Sequence, residues 1–555
     1  MVDNNMIFFA KKGNDEALTD PIVMRPDMAN KHGFICGATG TGKSVTLKVL
    51  AESFSQLGVP VFMSDVKGDM AGVAAAGEDS ESMQKRLDRF GIRDMFKYEG
   101  YPVSIFDIYG RSGIPLRTTV SEMGPQLLAQ VLGLNDTQTE LMQVIFKIAD
   151  DQGLVLTDTK DMKAMLQYAA DHSDDFKADY GNIAQQSVAT IIRSIVALES
   201  EGADMFFGEP AIDIRDFFMK AGDGRGNINI LAAETLISQP RLYSAFMLYL
   251  LSELFELLPE VGDPEKPKMV FFFDEAHLLF KNASKSLLDK IEQVVKLIRS
   301  KGVSIFFVTQ SPGDIPGAVM SQLGNKIEHA LHAYTPAEQK VLKAAADAFR
   351  ENPEFKTEEL MQNLGTGEAV VSVLDEKGAP TVAEHAYILP PESRMGALTA
   401  DERKQINDAS PFMAKYGTMV DNISAYERIT GKVAQTAAPA DDMGGLTPTI
   451  EIETTVEKAP NTAQEALGGD IAADPLTGTV IGTVRDVTSA VGEKAEAVLG
   501  TTEARRVART TGGTIGREVG KAIGEAVLGK KGRTIGGNIG AQLGRSIMGT
   551  LTTKK

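Results

Sequence analysis

Residues 32–44 read HGFICGATGTGKS, and residues 45–58 continue VTLKVLAESFSQLG. A short apolar run, a glycine-spaced loop and a segment of helical period follow one another without a break. VPVFMSDVKGD, residues 59–69, then reads as a second short buried strand, so the opening is strand, loop, helix, strand, a βαβ unit. The loop Gly37-Ala38-Thr39-Gly40-Thr41-Gly42-Lys43-Ser44 fits the pattern G-x-x-x-x-G-K-[ST]. Each position in it has a physical use. The glycines let backbone N–H groups converge on phosphate oxygens, Lys43 brings a point charge to the β and γ phosphates, and Ser44 offers a hydroxyl to Mg2+. A plain glycine-rich turn has no use for Lys43 and Ser44 together.

Further along, alternation of the same kind resumes. NINILAAE reads as a strand, PRLYSAFMLYLLSELFELLPE as a helix, KMVFFFDEAH as a strand, SLLDKIEQVVKLIRS as a helix and VSIFFVTQ as a strand, with a further strand over 369–374. Continuous apolar runs separated by helices predict an α/β fold with a parallel sheet covered on both faces. Val270-Phe271-Phe272-Phe273-Asp274-Glu275 puts two carboxylates at the carboxyl edge of that sheet, where such sheets bind ligands. Asp274 is expected to hold Mg2+ through its water shell and Glu275 to orient and deprotonate an attacking water. Gln310, after Thr309 at the end of the next strand, is placed to contact the γ phosphate. Asp65, Lys67 and Asp69 follow the second strand on the same edge, near nucleotide, at a subunit boundary, or in a solvated loop. His277 reads as a structural residue at a helix start, and Cys36 as a small apolar filler.

The implied organisation is a first part of the core over 1–79, a mainly helical insertion over 80–225 with breaks at 110–115 and 204–210, and a second part of the core over 226–425. A flexible linker over 426–500 and a basic glycine-repeat tail over 501–555 follow. The linker is assigned from composition, since 431–500 is rich in Ala, Thr, Pro, Gly, Asp and Glu and lacks aromatic residues. In the tail, Thr514-Ile515-Gly516 recurs as Thr534-Ile535-Gly536. Glycines step by four through Gly512, Gly516, Gly520 and Gly524 and again through Gly532, Gly536, Gly540 and Gly544. That row permits close approach of another helix, but interior glycines weaken a helix standing alone. The tail therefore reads either as disordered or as an element that self-associates or lies on a membrane surface or protein partner.

Charge sharpens this division. The 555 residues carry −18, yet residues 501–555 hold eleven basic and three acidic residues, a charge of +8 that leaves −26 on the rest. An acidic body argues against a protein that coats nucleic acid, whereas the basic tail suits something anionic. One cysteine excludes an intramolecular disulfide framework and a Cys-rich zinc module. The apolar run Met6–Phe9 is shorter than the core of a signal peptide, and a cytoplasmic protein is expected.

Taken together, KHGFICGATGTGKSVTLKVLAESFSQLGVPVFMSDVKGD, VFFFDEAHLLF, IRSKGVSIFFVTQSPGDIP and PPESRMG resemble the HerA-FtsK superfamily of ring-forming ATPases. More narrowly, residues from about 10 to 425 resemble the bacterial YjgR group of HerA-like proteins. The resemblance implies a RecA-like core, homo-hexamers, ATP and Mg2+ as cofactors, and ATP-driven work on DNA or another polymer. It also implies an arginine supplied by a neighbouring subunit, for which Arg299 and Arg394 stand ahead of Arg193. HerA proteins carry an N-terminal β-barrel before the ATPase, whereas 36 residues precede Gly37 here. The contrasting reading is a nucleotide-switched assembly or protein-remodelling ATPase acting through its tail.

Overall fold

The computed structural model describes residues 2–3, 5–13, 18–281 and 285–431. The linker beyond Gly431 and the glycine-repeat tail lie outside the described residues.

A single mixed sheet organises the rest. Its strands are β1 (Val2–Asp3), β2 (Met6–Gly13), β3 (Leu18–Met24), β4 (Gly33–Cys36), β5 (Val61–Asp65), β6 (Val103–Asp107), β7 (Ile114–Pro115), β8 (Ile228–Ala232), β9 (Met269–Phe273), β10 (Val303–Thr309), β11 (Asn325–Glu328), β12 (Glu368–Ser372) and β13 (Glu384–Ile388). They lie in the order β1-β2-β13-β12-β11-β4-β10-β9-β5-β8-β6-β7, with β3 paired to β2. From β11 through to β7 every neighbouring pair is parallel. Beyond β11 the sheet continues antiparallel through β12, β13 and β2.

Side-chain alternation explains why this sheet is buried on both faces. Phe34 and Cys36 of β4, Met269, Phe271 and Phe273 of β9, and Val303, Ile305 and Phe307 of β10 enter one core. Ile35, Val270, Phe272, Phe306 and Val308 enter the other. The first core is closed by the helices Pro240–Leu257 and Lys285–Ile298 together with the insertion, the second by the helices Lys43–Gln56 and Glu81–Phe90. Burying each such side chain stabilises the fold by about 1.5–3 kcal/mol.

Residues 80–225, expected to be mainly helical, contain the helices Val120–Leu132, Asp136–Gln152, Thr159–Asp171 and Gln185–Glu199. They also contain β6 and β7, which extend the parallel sheet beside β8. A physical reason hides these two strands from a periodicity reading. VSIFD is five residues long and bounded by Pro102 and the turn that Asp107 caps, so it is too short to show a period.

Two buried polar contacts hold the layers in register. His32, at φ +58, donates from Nε2 to the Val295 carbonyl at 2.9 Å, while its Nδ1 accepts the Ile305 N–H at 3.0 Å. Asp161 accepts from Thr157 N, Asp158 N, Ser424 Oγ and Tyr426 N at 2.6–3.1 Å, tying the helix Ala425–Thr430 to the insertion. Among the described residues no helix is long and apolar enough to cross a membrane.

Candidate active site

β4 delivers its chain directly into the loop 37–44, and the helix Lys43–Gln56 leaves from it. The turn requires glycine at both ends. A Cβ on Gly37 would lie 2.5 Å from His329 Cβ, and one on Gly42, at φ +119, would lie 3.2 Å from the backbone of Gly367. Neighbouring strands fix the loop from outside: Ala38 N donates to Ala330 O at 2.8 Å, and Gly367 N to Thr41 O at 2.9 Å. His329 adds a side-chain tie, with Thr46 Oγ1 2.8 Å from its Nε2 and the Glu368 carbonyl 2.8 Å from its Nδ1. A carbonyl can only accept, so Nδ1 carries the proton and Nε2 accepts from Thr46. Burial pushes His329 down to about 4, which keeps that tautomer neutral.

Lys43 is 6% exposed and donates to the carbonyls of Gly37 at 2.6 Å and Ala38 at 2.9 Å. Burial, and next the charge of Lys67, lower its pKa. Ser44 is half-buried at the start of the same helix, and its hydroxyl makes no hydrogen bond among the described residues.

β9 ends at Phe273, so Asp274 and Glu275 stand at the carboxyl edge, 5% and 4% exposed. Asp274 is held by its backbone, whose N–H donates to Ser64 Oγ at 3.1 Å; that hydroxyl also meets Tyr243 OH at 3.2 Å. Burial, then the adjacent Glu275, push the Asp274 carboxyl up to about 7. Glu275 adopts φ +50, a left-handed conformation unusual for a side-chain-bearing residue. Its carboxylate collects Lys67 Nζ at 3.0 Å, Gln310 Nε2 at 2.9 and 3.1 Å, and His277 Nδ1 at 3.4 Å. Burial alone would raise the Glu275 pKa, but the bonds from Lys67 and Gln310 outweigh it and the net shift is downward.

Gln310 also connects this carboxylate to the loop, since its Oε1 accepts from Thr39 Oγ1 at 3.2 Å. Lys67 reaches Glu275 because Asp65 organises the loop between them, accepting N–H bonds from Gly68, Met70 and Ala71 at 2.7–3.2 Å. The structure therefore brings Thr39, Lys67, Glu275 and Gln310 into one bonded group, with His277 at ion-pair distance beside it. Cys36 is fully buried, and burial pushes its thiol up.

The arginines are elsewhere. Arg299 precedes β10, at the amino edge of the sheet, with Asp263 at 2.9 Å. Arg394 pairs with both oxygens of Glu402 at 3.0 and 2.9 Å. Its segment docks on the loop helix: Lys48 Nζ donates to the carbonyls of Arg394 at 2.7 Å and Met395 at 3.0 Å, and Glu52 accepts the N–H groups of Glu392 and Ser393. Sequence reasoning missed His329, Lys48 and Glu52. Lys48 and Glu52 were open to detection as two charges on a helix whose neighbours are apolar, but nothing in the sequence marks His329.

Among the described residues no group of three or more His, Cys, Asp or Glu is arranged to hold a metal ion. One hydroxyl and one carboxylate are nevertheless the donor set that suits Mg2+, which keeps several waters and takes its remaining ligands from phosphate.

The family model described as helicase HerA-like C-terminal matches residues 10–555. No curated protein matches the chain. Among solved structures, the unbound monoclinic form of the bacterial conjugative coupling protein TrwBdeltaN70 is 16% identical, with 68% of this chain and 89% of that chain covered at a TM-score of 0.45. Plasmid coupling protein TrwB in complex with ADP and Mg2+ is 15% identical, with 72% and 98% covered at 0.45. VirB4 of Thermoanaerobacter pseudethanolicus is 16% identical, with 70% and 97% covered at 0.43.

Proposed function

Since the chain belongs to the helicase HerA-like C-terminal family, we propose that it is an ATP-hydrolysing ring motor that translocates or remodels DNA. The observation that carries this reading is Glu275, a buried carboxylate kept below its ordinary pKa beside the phosphate-type loop and linked to that loop through Gln310 and Thr39. A nucleotide carrier needs no such base, whereas hydrolysis does.

In this reading the backbone of residues 37–44 binds the phosphates and Lys43 turns from its loop carbonyls to the β and γ oxygens. Ser44 and Asp274 hold Mg2+, which supplies charge neutralisation of the phosphates. Glu275 orients the attacking water and takes its proton. Gln310, bonded at once to the base and to the loop, reads the γ phosphate. Arg299 and Arg394 are our candidates for completing a neighbouring subunit's site in a homo-hexamer. Arg299 is the freer of the two, because its partner Asp263 is exposed. The quoted motifs support placement in the YjgR group, and the single cysteine supports a cytoplasmic location.

The test is steady-state ATP hydrolysis with and without linear double-stranded and single-stranded DNA, with Lys43→Ala and Glu275→Gln as controls. Stimulation by one DNA form, absent in both variants, is the expected result. Hydrolysis that needs Glu275 yet ignores DNA would instead favour the nucleotide-switched assembly or protein-remodelling reading, to which the +8 charge of residues 501–555 lends weight. No hydrolysis by the wild-type chain would defeat both.

A further inference from the structure

Apart from the loop 37–44, the helices Val120–Leu132, Gln185–Glu199 and Pro240–Leu257 and the residue Lys281 line a cavity of about 420 Å3 that is open to solvent on one side. Three cations line it, Arg193, Arg241 and Lys281, and no acidic residue does, in a chain whose net charge is −18. Only one of the three is offset: Arg241 has Glu201 at 3.7 Å, whereas Arg193 bonds only the Thr190 hydroxyl at 3.0 Å and Lys281 has no ion pair among the described residues.

Ser244 also lines the cavity, is 6% exposed, and offers it a hydroxyl. Gln130 supplies an independent sign of a ligand, because it lines the same space and its Oε1 is buried with no hydrogen-bond partner among the described residues. Buried polar atoms are nearly always paired, so one left unpaired at a cavity points to a group that would meet it there. The first turn of the helix Pro240–Leu257 lines the same space, and its leading N–H groups have no carbonyl within the helix. Val131 and Leu132 give the cavity an apolar wall.

We propose that this cavity binds a small organic phosphate. The phosphoryl group would be met by the Arg193 and Arg241 guanidiniums, the Lys281 ammonium, the Ser244 hydroxyl and the helix N–H groups, with the organic body against Val131 and Leu132. Three cations on one cavity match a dianion better than a carboxylate, and the volume suits one small molecule rather than a strand of nucleic acid. One helix touches both places, since Tyr243, next to Ser244 in sequence, meets the Ser64 hydroxyl that accepts the Asp274 N–H.

Binding at this cavity does not rest on the proposed hydrolysis, and the test keeps the two apart. Phenyl phosphate is titrated calorimetrically into the full chain saturated with ADP and Mg2+, and into Lys43→Ala. One equivalent is expected to bind in both, about tenfold more weakly after Arg193→Gln or Arg241→Gln, each of which replaces an exposed side chain. Absence of binding, or binding unchanged in both arginine variants, would overturn the proposal. So would binding that vanishes with Lys43→Ala, which would place the probe on the phosphate loop, or displacement of the probe by a single-stranded oligonucleotide, which would give the cavity to nucleic acid.

Discussion

Acidification tests the packing of β4 against β10 through one side chain, His32. Burial pushes this imidazole down to about 4 from an ordinary value of 6.5; its bond to the Val295 carbonyl opposes the shift and the charge of Arg299 adds to it. The geometry gives the reason in atomic terms. Nδ1 is the acceptor of the Ile305 N–H at 3.0 Å, so a second ring proton would set two donors against each other. A histidine with a lowered folded-state pKa favours the folded state fully above about 6.5, and that contribution is lost as pH falls toward about 4, because the unfolded chain takes up the proton first. The limit is about 3 kcal/mol, and about 2 kcal/mol is gone by pH 5. The chain has no tryptophan, so urea unfolding is followed by far-ultraviolet circular dichroism at pH 8 and pH 5 in the wild type and in His32→Gln. The variant should be less stable at pH 8 yet lose about 2 kcal/mol less on acidification. His329, lowered for the same reason, titrates in both proteins and cancels in the comparison. A difference between wild type and variant that is the same at both pH values would refute the argument.

Gly42→Ala forces a side chain into φ +119 and to 3.2 Å from the Gly367 backbone; strain of about 1–2 kcal/mol should weaken binding of a fluorescent ADP analogue about tenfold. Lys48→Met removes both bonds to the Arg394 and Met395 carbonyls, and the urea midpoint should fall by the equivalent of about 1–3 kcal/mol. Asp161→Ala leaves its donors from Thr157, Asp158, Ser424 and Tyr426 without their acceptor. A loss of about 3 kcal/mol or more is expected, with faster protease cleavage near residues 424–431, and an unchanged cleavage pattern would count against that anchoring role.

The sequence made the central strands legible because they are buried on both faces. An unbroken run such as Val270 to Phe273 has only one reading when helical segments flank it. The loop 37–44 and the acids after β9 were legible for a related reason, since their chemistry depends on residues adjacent in the chain. What stayed hidden depends on distance. His329 reaches Thr46 across 283 positions, and Lys48 reaches the Arg394 carbonyl across 346. No local pattern encodes either contact. Lys67 lies between these extremes. Its edge of the sheet was foreseeable, but its bond to Glu275 depends on the turn that Asp65 caps.

The helix Lys43–Gln56 is buried along almost its whole length and is pinned by His329, by the carbonyls of residues 394 and 395, and by the Glu52 contacts. In mechanical terms it is a stator. A rod gripped on so many sides has nowhere to slide, whereas the two side chains that reach Glu275 from outside it, Lys67 and Gln310, are exposed. Both grip Glu275, so the compliance of this site lies around that one carboxylate and the stiffness along the helix beside it.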